Sequence, residues 1–379
     1  MSHPLRSFAP ALGLLLVAGC GATILGPEAA VVADRAHAPA VSEDASEERD
    51  ARAWLRGAAD EQEQDPVLGA ARAELTRALE AHRFGEAVAA AERVLAMRPR
   101  DRGALMLMSD ALVELGRLDE AEAALQAVLD LRPDGAAYFR AGWLLHLRGE
   151  DQAALEALEL ALEAARFSPP AARAWILTEA ADVRRARGEL PAAEALYAQA
   201  LRLNPRWRPA RLGLARAALA AGDPWEAVRA LEEARPSLEV LGLLARARRA
   251  QGQEAAAAEA AARAVAMGVG DAHDGRALAL LLSDEGLDAA RALRLARAEV
   301  AARPGPHAWD ALAWALLRAG QAHEALAAAE QALAWGTQEP ELLLHAGLAA
   351  RAAGDPRAAA WLERAAELDP SLATFVQAG

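Results

Sequence analysis

Side chains that commonly act as nucleophiles, acid–base groups or metal ligands are few in this sequence and widely spaced. None of the eight histidines stands at helical zinc-site spacing from another, and no serine has glycine both two residues before and two residues after it. His307 and Asp310, three residues apart at a predicted helix start, could share one ligand face. Ordinary surface polarity is the simpler explanation of that pair. The sequence therefore predicts a protein that is not an enzyme and holds no metal or cofactor.

The charged residues exclude further kinds of site. All 41 basic residues are arginine, which excludes the lysines of P-loop nucleotide sites, pyridoxal phosphate enzymes and kinases. Acidic residues number 54, and a net charge of −13 with no long basic run argues against a nucleic acid partner. The single cysteine, Cys20, permits neither an internal disulfide nor a cysteine zinc cluster. A hydrophobic share of 54% with only 4% aromatic residues favours stacked helices with small contact residues.

The first twenty residues have the layout of a secretion signal. A short start that contains Arg6 precedes an apolar run that is too short to span a bilayer. The run ends in the sequence Val17 to Cys20, which resembles a bacterial lipobox. That resemblance implies a signal peptide over 1–19, cleavage after Gly19 and diacylation of Cys20. A cleaved signal with a chance cysteine and an uncleaved anchor are the alternatives.

Residues 20–65 are predicted to form a lipidated N-terminus followed by a tether. Gly21 stands where aspartate would resemble the inner-membrane retention signal of many Gram-negative bacteria, which favours an outer-membrane lipoprotein facing the periplasm if the cell is Gram-negative. Positions 21–65 carry eleven acidic residues and four arginines, a composition typical of a disordered linker. Such a coil spans roughly 35–40 Å root-mean-square. A partner site around Trp54 is the alternative to a passive spacer.

The rest of the chain shows an internal repeat. Glycines recur at intervals of 33, 39, 34, 30, 34, 34 and 34 residues, at Gly116, Gly149, Gly188, Gly222, Gly252, Gly286, Gly320 and Gly354. Apolar helical runs are closed by prolines at Pro99, Pro133, Pro205, Pro304 and Pro370. Glycine adopts the backbone angles of a tight turn, and proline cannot continue a helix. The pattern therefore predicts helix-turn-helix units with a turn glycine in most of them.

This layout resembles the tetratricopeptide repeat. The clearest turns with second helices lie at 116–133 and 188–205, and the clearest first helices at 307–320 and 342–355. Trp309 occupies the family's aromatic fourth position, and Gly142 and Gly347 its small eighth position. The resemblance covers about residues 66–370. It implies an all-α, right-handed helix-turn-helix solenoid of about nine repeats.

Departures from the period predict a boundary inside this solenoid. The 39-residue interval holds an insertion at 167–170. The 30-residue interval is short, and Pro236 interrupts the second helix of its unit. The second helix of the sixth unit is almost all alanine. We expect a seam near 235–275 that divides repeats 1–5 (66–235) from repeats 6–9 (236–370). A short C-terminal tail, 371–379, provides no capping helix, so the end of the solenoid is expected to be apolar and either to fray or to contact a second copy.

Proteins of this family usually bind ligands in a concave groove lined by the first helices. The family's contact positions are the second, fifth, ninth, twelfth and thirteenth of each unit. On this chain they hold Phe139, Trp143, His146, Trp175, Asp182, Arg185, Arg216, His307, Asp310, Trp314, Arg318 and Arg351. Tryptophan beside arginine is typical of protein-interface hot spots. Packing of Trp143 and Trp314 between neighbouring repeats is the alternative.

Together these features predict a membrane-anchored scaffold that binds proteins or peptides in the bacterial cell envelope and assembles or regulates an envelope complex. Two alternatives stay open, an accessory factor for secretion, pilus or polysaccharide export, and a glycan-binding accessory of a cell-wall enzyme. The predicted partners are envelope proteins and, through acylated Cys20, the membrane. The sequence leaves the oligomeric state open.

Overall fold

The computed structural model describes residues 54, 65–268, 275–334, 336, 338–369 and 372. Within these ranges the chain forms eighteen α-helices and no strand, which confirms the predicted all-α class. The helices pair into nine helical hairpins, in agreement with the predicted repeat number. Cys20, the signal peptide, the predicted tether apart from Trp54 and Asp65, and the predicted tail apart from Leu372 lie outside the described residues.

Each hairpin has a first and a second helix. The first helices are α1 (Pro66–Glu80), α3 (Arg102–Glu114), α5 (Gly135–Leu147), α7 (Pro170–Ala186), α9 (Arg208–Ala220), α11 (Leu238–Ala250), α13 (Gly275–Asp284), α15 (Pro306–Arg318) and α17 (Pro340–Ala353). The second helices are α2 (Phe84–Met97), α4 (Leu118–Leu131), α6 (Asp151–Ala164), α8 (Leu190–Leu203), α10 (Pro224–Glu232), α12 (Glu254–Met267), α14 (Ala289–Ala302), α16 (Ala322–Leu333) and α18 (Ala358–Leu368).

The predicted glycines lie in the turns of eight hairpins. All eight have φ between 63° and 78°, the left-handed region that a side chain disfavours. The turn of the first hairpin has no glycine, and His82 takes the equivalent place with φ 52°. Its ring meets Phe84 edge-on, with ring centroids 5.6 Å apart. The repeat therefore begins one unit before the first turn glycine.

Aspartates at helix starts also connect neighbouring hairpins. Asp101 precedes α3 and accepts a hydrogen bond from the Ala104 amide at 2.9 Å, while its second oxygen pairs with Arg72 of α1 at 2.5 Å. Asp134 caps α5 in the same way and pairs with Arg102 of α3 at 2.6 Å. One carboxylate thus caps the N-terminus of one first helix and, through its ion pair, holds that helix beside the first helix of the preceding hairpin.

The chain divides into two compact units between Val183 and Arg184, inside α7. Within each unit, helices pack mainly on their neighbours in sequence, which is the contact pattern of a solenoid. The predicted seam at 235–275 lies inside unit 2, and the boundary between the two units does not coincide with it. Reduced stability at that seam stays a prediction.

Small residues allow close helix contacts in unit 2. A Cβ atom at Gly347 of α17 would lie 2.6 Å from Cγ of Leu362 on α18, which explains the predicted small residue there. Alanines supply most of the buried side chains of α12, at Ala257, Ala260, Ala261 and Ala264. The second helix α16 also buries only alanines, so α12 is less exceptional than its sequence suggests. Leucines of the neighbouring first helices complete the core around both helices.

The C-terminal end of unit 2 is covered in part. Leu372 is buried beside Leu343, Leu344 and Leu368, although the sequence predicts an apolar end without a cap. Asp369, which precedes it, is 1% exposed. The chain after α18 therefore shields one edge of the last hairpin.

Within unit 1, a residue that precedes α1 packs against the repeats. A Cβ atom at Gly135, the first residue of α5, would lie 3.0 Å from Cζ2 of Trp54 and 3.0 Å from the Ala161 carbonyl oxygen. The indole of Trp54 is half-buried at this place. Trp54 thus contacts the repeats although it lies eleven residues before the predicted end of the tether at residue 65.

Candidate protein-binding groove

The first helices of unit 2 carry a row of accessible side chains at the ninth repeat position, six residues before each turn glycine. This position holds Arg216, Arg246, Leu280, Trp314 and Leu348, and each is exposed or half-buried. Consecutive first helices from α9 to α17 pack against each other. We call the face that these helices share the unit 2 groove.

Two first helices that are distant in the sequence influence each other across this face. The charge of Glu341 on α17 stabilises the charged form of Arg216 on α9, although three hairpins lie between these helices in sequence. The solenoid of unit 2 therefore curves so that distant first helices face the same space. Side chains from several repeats can then touch one bound segment.

Four side chains form a connected cluster around Trp314. The indole Nε1–H of Trp314 donates to Oδ1 of Asp284 at 2.8 Å, and its ring stacks on the imidazole of His345 at 4.4 Å between centroids. His345 Nδ1 lies 2.9 Å from Oδ1 of Asp310, a buried carboxylate. These bonds join α13, α15 and α17 across three successive hairpins.

Arg318, one turn after Trp314 on α15, completes the cluster. Its Nε–H donates to the Ser283 carbonyl oxygen at 2.9 Å, and its guanidinium carbon lies 5.6 Å from the centroid of the Trp314 ring. The residue stays exposed to solvent. The cluster thus presents a fixed aromatic ring between a cation and an imidazole, with carboxylates on either side.

The pKa of His345 is raised above the usual histidine value. Burial alone lowers this pKa, but the carboxylates of Asp310, Asp284 and Glu341 outweigh that effect by stabilising the imidazolium. The hydrogen bond to Asp310 acts in the same direction. Protonated His345 is therefore favoured by acids from three first helices.

The pKa of Asp284 is also raised, although the residue is accessible to water. The surrounding groove walls remove part of its hydration, and this effect exceeds the opposing hydrogen bond from Trp314 and the nearby charges of His345 and Arg246. The charge of Glu285 raises the same pKa further. The protonated form of Asp284 is therefore more favoured than that of an isolated aspartate.

Arg216 is subject to the same loss of hydration. Desolvation lowers its pKa, while Glu341 and Glu239 raise it and Arg246 lowers it again. The guanidinium stays charged, because arginine does not lose its proton in proteins. Ion pairs with a bound chain would be stronger at such a site than on an open surface.

Four of the predicted groove residues are buried: Asp310, which belongs to the cluster at Trp314, and three aromatic residues for which the prediction of an exposed contact was wrong. Phe139, Trp143 and Trp175 are 0%, 2% and 8% exposed. Phe139 and Trp175 pack edge to face with centroids 6.4 Å apart. These rings fill the space between the first helices α5 and α7 within unit 1, where they stabilise the core rather than meet a partner.

The other predicted residues lie on or near the first-helix faces with partners of their own. His146 Nδ1 is 2.5 Å from Asp151 at the start of α6, and His307 Nε2 is 2.8 Å from Glu339, which precedes α17. His307 and Asp310 thus turn to different partners and share no ligand face. Asp182 and Arg351 are half-buried. Contact of these residues with a partner remains a prediction.

Besides Leu280 and Leu348, four groove residues with ionisable side chains lie outside the predicted set. Arg246, Asp284 and Glu341 occupy the ninth, thirteenth and second repeat positions, which the family's contact pattern already marks. His345 occupies the sixth position, which that pattern does not mark, and only its stacking on Trp314 reveals it. The chemistry available to this cluster is non-covalent recognition by ring faces, hydrogen bonds and charges of both signs. In the described part of the chain, no group of three histidine, cysteine or acidic side chains is arranged to hold a metal ion.

Comparison with known proteins finds a known repeat family in two segments. Residues 78–142 and residues 178–239 each match a sequence model described as tetratricopeptide repeat. These two segments are therefore similar to tetratricopeptide repeats. They lie in α1–α5 and α7–α11, so the same unit recurs along the chain. No curated protein matches the chain in sequence.

Solved structures with a similar fold were also found. Yeast Tom70 is 15% identical, with a TM-score of 0.51 over 92% of this chain and 72% of its own. PilW, a widely conserved type IV pilus biogenesis factor, is 20% identical, with a TM-score of 0.47 over 53% of this chain and 94% of its own. A tetratricopeptide repeat protein from Parabacteroides merdae is 16% identical, with a TM-score of 0.38 over 61% and 92% of the two chains. The likeness to Tom70 supports the all-α solenoid fold alone. The TM-scores of the other two structures are below 0.5, so their likeness supports no conclusion.

Among the described helices, none combines the length and the apolar character needed to cross a membrane.

Proposed function

We propose that this protein is a non-catalytic, lipid-anchored scaffold of the bacterial cell envelope that binds segments of partner proteins in the unit 2 groove. The tetratricopeptide repeats support a role in protein interaction. The observation that carries the proposal is the cluster of Trp314, His345, Asp284 and Arg318 on the concave face of the first helices. It fixes a tryptophan ring beside charged groups of both signs, the composition of an interface hot spot.

The envelope location rests on the sequence before the repeats. The lipobox-like ending at Cys20 and the acidic stretch that follows support a lipoprotein whose repeats are held at a distance from the membrane. Gly21 supports the outer membrane as the anchoring site in a Gram-negative cell. The partners would then be periplasmic proteins or the periplasmic parts of membrane proteins.

The test compares capture of envelope proteins by the wild-type chain and by two tryptophan variants. Trp314→Ala removes the ring at the centre of the cluster. Trp225→Ala is the matched control, because Trp225 is 65% exposed but lies on the second helix α10, outside the groove. Each tagged protein is expressed in its native host, cross-linked, and purified from detergent-solubilised envelope.

Partners that bind the groove should be recovered with wild type and with Trp225→Ala but fall at least about tenfold with Trp314→Ala, as loss of a hot-spot residue implies. Far-UV helicity should be the same in all three proteins. Recovery of pilus or secretin components, export machinery or cell-wall enzymes would identify the complex that is served. Equal recovery by all three proteins would show that the groove of unit 2 is not the binding site.

A further inference from the structure

An ion pair joins the two ends of unit 2. Nη1 of Arg185, in the last turn of α7, lies 3.2 Å from Oδ2 of Asp369, which follows α18. The two residues are 184 positions apart in the sequence. In a solenoid most contacts join neighbouring repeats, so a bond between residues near the two ends of unit 2 requires that its row of hairpins curve back on itself.

This ion pair is built into the protein rather than lying on its surface. The side chain of Asp369 is 1% exposed and that of Arg185 is 15% exposed. The backbone amide of Asp369 donates to the Ala365 carbonyl oxygen at 2.8 Å, which holds the carboxylate at the end of α18. A buried charge that loses its partner is strongly unfavourable, so this contact resists opening.

The inner face of the curve is enclosed at the same time. Arg216 on α9 and Glu341 on α17 interact across the groove, although neither helix neighbours the other in sequence. Loss of hydration lowers the pKa of Arg216 and raises that of Asp284, so the groove walls restrict the water around these residues without excluding it. Together with the Arg185–Asp369 contact, these effects describe a groove whose two ends are held near each other.

We propose that the Arg185–Asp369 ion pair is a latch that holds the unit 2 groove closed, so that a partner segment enters when the latch opens. This inference rests on the proposed function, because it describes how access to the same groove is regulated. Unit 2 then exists in a closed form, with the two ends of its hairpin row in contact, and an open form, in which α18 and the end of α7 separate. A partner that binds only the open form would shift the population towards it.

Thiol labelling can test the latch without any partner. The chain has one native cysteine, so the full chain carrying Cys20→Ala provides a background without thiols. Leu280→Cys adds a probe at the ninth position of α13, inside the groove. Ala262→Cys adds the matched probe on the second helix α12, at an exposed position outside the groove. Each probe is combined with Arg185→Ala, with Asp369→Asn and with the charge swap Arg185→Asp plus Asp369→Arg.

With 5,5′-dithiobis(2-nitrobenzoic acid) as the reagent, either single change should accelerate labelling of the groove probe on the order of tenfold, the factor equivalent to about 1.4 kcal/mol. The charge swap should return the rate towards that of the intact latch. The rate at Ala262→Cys should not change in any variant. That pattern would establish that the ion pair gates the groove.

Three results would overturn the latch. Unchanged groove labelling in both single variants would mean that the groove is already open. Equal acceleration at both probes would mean that the ion pair stabilises unit 2 as a whole. Acceleration that the charge swap does not reverse would mean that local unfolding exposed the probe. None of these results concerns a partner, so they leave the scaffold proposal standing. A groove that captures no protein would leave the opening measured by thiol labelling in place but would remove its role in partner entry.

Discussion

His345 is held in the unit 2 groove by groups that favour its charged form, and this sets the sign of a pH dependence. Its folded-state pKa lies above the ordinary value of 6.5 because Asp310, Asp284 and Glu341 outweigh the effect of burial. A raised histidine pKa contributes stability that is fully present below 6.5 and is lost as pH rises through the folded-state value. The raised pKa of Asp284 acts in the same direction, beginning above 3.8.

We therefore predict that unit 2 loses stability as the solution passes from about pH 6 to pH 8, the range in which histidine titrates. His345→Asn should show a smaller loss, because its side chain cannot release a proton. His323→Asn is the control, since His323 is exposed on the second helix α16. Urea midpoints measured across this range for the three proteins provide the comparison. If His345→Asn keeps the wild-type slope, another group causes the pH dependence.

Single residues also show where sequence patterns stop being informative. Trp143 and Trp314 occupy the same ninth repeat position, yet Trp143 is 2% exposed while Trp314 is half-buried and bonded to Asp284. Repeat position determines the face of the helix on which a side chain lies. It does not determine how far neighbouring side chains cover it, because that depends on the volumes of residues from adjacent hairpins. The groove residues were therefore predictable as a set of positions but not by their exposure.

The helical hairpin is the element that the sequence predicts best. Its turn glycines, its closing prolines and its apolar faces all act over fewer than 34 residues, so each unit is specified locally. The first hairpin escaped the glycine pattern because His82 adopts positive φ in its turn. The packing of the alanine-rich helix α12 could not be predicted from its own sequence, because the leucines that pack on it come from α11 and α13.

Two glycines separate the effect of turn geometry from that of available space. A side chain at Gly222 or at Gly85 would meet no atom within 4 Å. Gly222 has φ 78° in the turn between α9 and α10, whereas Gly85 lies inside α2. Gly222→Ala should therefore destabilise the protein by about 1 kcal/mol through backbone strain, and Gly85→Ala should stabilise it by up to about 1 kcal/mol.

Urea unfolding of the two glycine variants beside wild type measures both changes. Equal shifts in the same direction would mean that positive φ is not what requires glycine in the hairpin turns. Opposite shifts would support the same requirement at the other turn glycines.

On the scale of the whole molecule, contacts between distant residues are what the repeat pattern leaves out. Arg185 and Asp369 form an ion pair although they are 184 positions apart in the sequence. The sequence of neither residue's own repeat predicts this contact. Trp54 likewise packs on Gly135 from a segment whose composition predicts a free tether. Curvature accumulates from small rotations between successive hairpins, so a nearest-neighbour interpretation of the sequence predicts a solenoid but not which of its distant parts meet.

The proposed N-terminal lipid anchor would determine where this molecule works. Each methylene of an acyl chain that enters the bilayer contributes about 0.8 kcal/mol, so two or three chains on one cysteine hold a protein on a membrane almost permanently. If Cys20 is that cysteine, the repeats are confined to the space that the following residues can span. The Trp54 contact would shorten this reach, because the chain is then held against the repeats at residue 54 rather than at residue 65.

Cys20→Ala should therefore abolish labelling with palmitate and leave precursor or soluble protein in place of membrane-bound protein. Gly21→Asp is the matched control, because it keeps the cysteine and resembles the inner-membrane retention signal. This control should still be labelled and should move to the inner-membrane fraction of a Gram-negative host. Both variants are compared with wild type by metabolic labelling and by fractionation of the two membranes. Palmitate labelling of Cys20→Ala, together with its recovery in the outer membrane, would disprove the lipoprotein assignment without affecting the groove in unit 2.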